Sequence, residues 1–150
     1  MQLTDAHIMA RSLMDKHGLQ NWGFQFDGAK KTFGVTWYKR KIISLSKTLT
    51  ELNEESHVRD TILHEIAHAL VPRGGHSREW RRKAIEIGCN GKRQYSSEVI
   101  IPKLNWIAIC EDCKRTYQRV KTPKMNRRYW CRCNNFDRKN LMWVKQTIIL

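Results

Sequence analysis

Proline is scarce, with three in 150 residues, and glycine reaches only eight, so collagen-like repetition and low-complexity linkers are both excluded. No stretch approaches the ~20 apolar residues that a membrane-spanning helix requires. The opening Met1-Gln2-Leu3-Thr4-Asp5 lacks the basic region and apolar run of a secretion signal, so the expected setting is intracellular and cytoplasmic, away from membranes. Cysteine numbers five, an odd count that suits metal ligation or free thiols better than a disulfide framework in a reducing compartment. Internal repeats are absent.

Acidic residues are the next shortage: 14 against 28 Lys and Arg, for a formal charge of +14. The imbalance is local. Residues 1 to 72 hold nine basic and eight acidic side chains, whereas residues 73 to 150 hold nineteen and six. A field this lopsided points to a polyanionic partner in the second half, nucleic acid first. With 41% hydrophobic residues, the chain still has enough apolar material for a globular core.

Leu3, Ala6, Ala10, Leu13 and Met14 share one helical face, and Gly18 stands at a C-cap position, which predicts a helix over 3–17. The period then shortens to two at Trp22, Phe24 and Phe26, again at Phe33, Val35 and Trp37, and gives way to the apolar run 41–45. Two or three short antiparallel strands are expected, with turns at Asp27-Gly28 and 38–41. Over 57–71, Val58, Ile62, Ile66, Ala69 and Leu70 form an apolar stripe beside a polar one of His57, Thr61, His64 and His68, ended by Pro72 and Gly74-Gly75. Ser77 then caps a further expected helix over 78–88, with Trp80, Ala84 and Ile87 inward.

His64-Glu65-Ile66-Ala67-His68 is an HExxH motif on the third of these segments. Four residues turn a helix by about 400°, so His64 and His68 project from one face and can grip one Zn²⁺. Glu65, about 100° round, can take a proton from water activated by the metal without itself binding it. A catalytic zinc needs a third protein ligand. His76 is the first candidate, because the Pro and Gly residues let the chain double back; Glu79 is the second. His57 suits a capping or supporting role, and His7 and His17 receive none.

Cys110-x-x-Cys113, seventeen residues, then Cys131-x-Cys133 approximates the spacing of a zinc ribbon, with the second knuckle one residue short. This predicts a structural Zn²⁺ on four thiolates, flanked by strands at 106–109, 117–120 and 141–144. The alternative is free or redox-active thiols, and Cys89 reads as an unliganded core thiol. Around and between the knuckles lie Lys114, Arg115, Arg119, Lys121, Lys124, Arg127, Arg128 and Arg132, interleaved with Tyr129 and Trp130. Basic groups among aromatics suit phosphate contacts with base stacking, as for single-stranded DNA or disrupted duplex. The aromatics serve equally well as the module's own core.

Taken in order, these segments resemble the SprT-like family of zinc metallopeptidases, whose relative Spartan cleaves proteins crosslinked to DNA. The resemblance rests on Leu19 to Trp22, Phe26-Asp27, residues 30–34, Ile42 to Ser46, Asp60 to Leu70 and Gly75 to Trp80, followed by a terminal ribbon. It implies an α+β fold: a small zincin-like metallopeptidase core over 1–95, a connection over 96–104, and a basic β zinc ribbon over 105–150. It also implies His76 as third ligand, Glu65 as general base, two Zn²⁺ per chain, and DNA-bound or DNA-crosslinked protein as substrate. Two rivals keep the metal but change the outcome: a non-catalytic, zinc-dependent nucleic-acid-binding or regulatory protein, and a zinc-dependent nuclease.

Overall fold

A computed structural model describes residues 1–72, 74–94, 98–102, 106–119, 121–124, 127–133 and 141–145. The chain forms two compact units, Met1–Ile101 and Pro102–Leu150. Both belong to the α+β description, the first mixed and the second β.

In the first unit, α1 (Leu3–Lys16) buries Ala6, Ala10 and Met14, one residue per turn along a single face. Three strands follow, β1 (Gly23–Asp27), β2 (Gly34–Trp37) and β3 (Ile42–Ser46), with a 3-10 turn at Tyr38–Arg40 between the last two. The sheet order is β1-β3-β2. β2 runs antiparallel to β3, but β1 runs parallel to it, so the sheet is mixed and the expectation of an all-antiparallel sheet is corrected. The reason lies in β3, whose residues 43–46 are buried on both faces and which therefore takes the centre. The segment after β1 crosses the end of β3 to reach the far side, pinned there by Ser46. That residue donates its backbone N–H to the Phe33 carbonyl at 2.8 Å and its hydroxyl to the Ala29 carbonyl at 2.7 Å.

Ser46 also caps a short helix absent from the sequence reading, α2 (Lys47–Leu52), accepting from the Leu49 N–H at 3.1 Å. Asn53, just beyond it, donates to the Leu49 and Ile100 carbonyls and accepts from the Ile100 N–H, each near 2.8 Å. This clasp, with buried Val99, carries the first unit through to Ile101.

The central helix α3 (Glu55–Leu70) buries Val58, Ile62, Leu63, Ile66, Ala67 and Ala69 against α1 and the sheet. It stops at Val71, ahead of Pro72, and Ser77 caps α4 (Arg78–Glu86) by accepting from the Trp80 N–H at 3.2 Å. In the second unit, β4 (Trp106–Ile109) is paired antiparallel with both β5 (Thr116–Arg119) and β6 (Val144–Lys145). The part of the expected ribbon strand at Val120, and residues 96–97 and 103–104 of the expected connection, lie outside the described residues. Among the described residues, no helix is long and apolar enough to cross a membrane.

Candidate active site

Helical periodicity sets His64 and His68 on one face of α3, and the turn at 74–77 brings His76 back over them. The three Nε2 atoms form a near-equilateral triangle: 3.2 Å from His64 to His68, 3.2 Å from His68 to His76 and 3.1 Å from His76 to His64. Zinc–nitrogen bonds of about 2.0–2.1 Å in tetrahedral array place ligand nitrogens roughly 3.3–3.4 Å apart. The donor set therefore fits one zinc ion with a fourth position open. Burial holds His64 and His68 neutral, each pushed down to about 4, with the neighbouring imidazoles adding to the effect. His76 is exposed, and its smaller downward shift comes first from burial and then from the Arg93 charge. Neutral imidazoles at pH 7 are the form a metal needs, so no proton must be displaced.

One aromatic contact backs the ligands. Beneath all three rings lies Trp80, 1% exposed, with centroid distances of 4.7 Å to His64, 5.1 Å to His68 and 4.6 Å to His76. Sequence periodicity places Trp80 inward on α4 but gives no sign that it floors the histidine cluster. The capping by Ser77, three residues earlier, is the signal that sets its direction.

Glu65 lines the cleft beside the histidines, reaches Thr36 and Gly34 on β2, and is 6% exposed. The Thr36 hydroxyl lies 2.7 Å from its Oε2 and 2.9 Å from its backbone carbonyl, so its single proton serves one or the other. Burial raises the Glu65 carboxyl to about 7, and the Thr36 hydrogen bond pulls the opposite way. β2 can come this close only because residue 34 is glycine: a Cβ there would stand 2.7 Å from Glu65 Cγ and 2.8 Å from its Oε1. The histidines, Glu65, Gly34, Thr36 and Tyr38 share one cleft of about 420 Å³.

Other candidates fall elsewhere. Glu79 is exposed in the first turn of α4 and stands outside the histidine group. His57 contributes its carbonyl to the Thr61 hydroxyl at 2.9 Å within α3. Cys89 is buried apart from the other cysteines, its thiol raised to about 11 first by burial.

In the second unit Cys110, Cys113, Cys131 and Cys133 come together, their sulfurs all within 4.8 Å of one another. The separations of 3.6 Å for Cys110–Cys133 and 3.5 Å for Cys113–Cys131 are far beyond a disulfide bond and near the ~3.8 Å edge of a tetrahedral zinc–thiolate site. The one-residue second knuckle still delivers both sulfurs. Tyr117, on β5, donates its hydroxyl to Cys131 Sγ at 2.9 Å, drawing that thiol down to about 6, toward the thiolate a metal requires. Of the basic residues, Arg119 lies over Tyr129 at 4.7 Å and Trp143 at 5.5 Å, and Arg127 over Tyr129 at 5.7 Å. Lys114, Arg115, Lys121, Lys124, Arg128 and Arg132 are exposed. Tyr129 packs edge-on against Trp143 beside the cysteine cluster, whereas Trp130 is 43% exposed, so the two neighbouring aromatics divide between core and surface.

The sequence model of the SprT-like family matches residues 6–100, more than half of the chain. The chain belongs to the SprT-like family. Among solved structures it is similar to the metallopeptidase zymogen abylysin of Pyrococcus abyssi, at 21% identity and a TM-score of 0.49, over 59% of this chain and 83% of that one. No curated protein matches it. Membership of this family, with three metal-competent imidazoles and a buried glutamate in one cleft, supports a metallopeptidase-type function for this SprT-like chain.

Proposed function

We propose that the protein is a zinc-dependent endopeptidase acting on DNA-bound or DNA-crosslinked proteins in a cytoplasmic, DNA-associated setting. One zinc is held by His64, His68 and His76, and a second by Cys110, Cys113, Cys131 and Cys133. The observation that carries the reading is the pairing of the histidine triangle with Glu65 in a cleft bordered by a sheet edge.

Zinc at the triad supplies a Lewis acid that polarises a peptide carbonyl and makes water acidic enough to ionise near neutral pH. The chain's own residues do the rest. Among the described residues β2 pairs only with β3, so its other side offers backbone groups to an extended polypeptide. Glu65 takes a proton from the attacking water as its oxygen bonds to the carbonyl carbon. It then delivers that proton to the departing amine nitrogen as the C–N bond breaks. Burial raises this carboxyl, which favours its carrying the proton from one step to the next. Thr36 holds the carboxylate in place, and the Trp80 floor holds the ligands.

The basic second half supports nucleic acid as the partner that brings substrate near, with single-stranded or disrupted duplex DNA favoured by an exposed Trp130 among cations. The test is digestion of a protein crosslinked to an oligonucleotide by the zinc-loaded chain, with and without a chelator. Cleavage that the chelator abolishes supports the reading. An intact crosslinked protein, beside an oligonucleotide cut by the same preparation, would indicate a nuclease instead.

A further inference from the structure

The near balance of charge over residues 1–72 hides a second basic zone. Residues 28–50 hold six of that stretch's nine basic side chains and none of its eight acidic ones. Three of the six, Lys39, Arg40 and Lys41, run in sequence at the 3-10 turn between β2 and β3, directly after Trp37 and Tyr38. All five residues are exposed, and among the described residues no carboxylate lies within ion-pair distance of the three cations. The Lys41 N–H donates to the Tyr38 carbonyl at 3.2 Å, and the Gly23 N–H donates to the Lys41 carbonyl at 2.7 Å, which ties the turn to the start of β1. Lys41 keeps a charged side chain at φ 51, a left-handed backbone that glycine would fill with less strain. Trp37 is 49% exposed, where an indole is ordinarily mostly covered, and the Arg40 guanidinium lies 6.0 Å from its ring centroid. Tyr38 also lines the cleft that holds Glu65 and the three histidines, so the patch runs on to the cleft mouth.

We propose that the turn at 37–41 binds single-stranded nucleic acid on the first unit itself, with the Trp37 indole stacking on a base and Lys39, Arg40 and Lys41 contacting the neighbouring phosphates. This rests on the nucleic-acid partner proposed above and gives that partner a site beside the cleft. An exposed aromatic face among cations without carboxylate partners suits a strand whose bases are free. Stacking needs a π-face that a duplex keeps inside and an Asp/Glu-rich polypeptide does not offer, while the phosphates supply the negative charge. The position bears on cleavage. A polypeptide laid along β2 passes the turn at the end of that strand, so nucleic acid held at Trp37 keeps the protein attached to it within reach of Glu65.

The experiment titrates the full zinc-loaded chain with a fluorescein-labelled oligothymidylate over a salt series. Trp37→Ala is expected to weaken binding by about five- to a hundredfold, the loss of one stacked base, and Trp37→Phe to retain most of the wild-type affinity. Lys39→Gln, Arg40→Gln and Lys41→Gln together should reduce the slope of log affinity against log salt by about 2, at roughly 0.7 per phosphate on a single strand. Zinc content and melting temperature establish that each variant is folded. Photocrosslinking of an iodouracil-containing strand to the unaltered protein, mapped by mass spectrometry, should mark Trp37 or Tyr38. Unchanged affinity and slope in folded variants would overturn the proposal, as would crosslinks confined to residues 102–150. Polyglutamate that displaces the strand and loses the same affinity in the variants would also overturn it, by assigning the turn to acidic polypeptide. A wild-type chain that binds no strand would defeat the nucleic-acid reading above and this site with it, whereas binding that the variants leave intact defeats this site alone.

Discussion

Replacing Thr36 by Val removes one proton donor from the base and almost nothing else, because the two side chains have nearly the same shape. The Thr36 hydroxyl sits 2.7 Å from Glu65 Oε2 and, donating there, favours the ionised carboxylate. A hydrogen bond to a charged group contributes about 1.5–3 kcal/mol. At about 1.36 kcal/mol per pH unit, its loss raises the Glu65 pKa by roughly one to two units. From a starting value of about 7, the base then ionises near 8 to 9. Hydrolysis requires the carboxylate, so the acidic limb of kcat/KM against pH moves up by the same roughly one to two units, and at pH values well below the limb the rate falls by about tenfold or more. The charge of bound zinc acts on Glu65 in both proteins, so the difference between them stands. The assay is a pH series on one peptide, with zinc content measured in both proteins. An acidic limb that stays in place, or moves down, in a folded zinc-replete variant would refute the assignment of Glu65 as the titrating base.

Other perturbations probe the same construction. Gly34→Ala sets a Cβ 2.7 Å from Glu65 Cγ, so β2 or the glutamate must shift; an overpacking cost of about 1–3 kcal/mol is expected in thermal unfolding, with lost turnover despite retained zinc. Trp80→Phe keeps an aromatic core but withdraws part of the floor under the three imidazoles, and chelator competition should show zinc affinity lowered by about tenfold or more, in the range seen when outer contacts of ligands are removed. Without metal, His64 and His68 stay neutral to about 4, so the folded state refuses protons that the unfolded chain accepts below 6.5, and their stabilisation is lost as pH falls through that range. Glu65 runs the other way, its raised value giving a contribution that is lost as pH rises through about 7. Two imidazoles outweigh one carboxyl, so the chelator-treated protein should melt highest near about pH 6.5; a melting temperature that climbs steadily from there toward pH 4 would contradict this.

The elements that read clearly from sequence are those whose signals are local. Ala6, Ala10 and Met14 announce α1, the stripe from Val58 to Ala69 announces α3, and Ser77 marks the start of α4. The histidine triangle follows from helix geometry plus a chain reversal, both visible in the HExxH spacing and the glycines after Pro72. What escaped depends on partners distant in sequence. Alternation identified β1 and an apolar run identified β3, but their parallel pairing is set by which strand is buried on both faces and by Ser46 anchoring the crossing segment. The helix α2 is six residues long, and its cap is also the last residue of β3, so strand and helix signals overlap at Ser46. Gly34 and Thr36 serve Glu65 from about thirty residues away, and no pattern within β2 records it. Trp80 reads as core because it is core, and its second role comes from what lies above it.

The central claim is that one zinc on three histidines, with Glu65 as base, hydrolyses peptide bonds. The most direct measurement compares wild type with Glu65→Gln for zinc per chain and for cleavage of a DNA-bound protein in the same preparations. The account predicts two zinc ions in each protein, cleavage by wild type, and none above background by the variant. Cleavage by a two-zinc Glu65→Gln protein at the wild-type rate would contradict it.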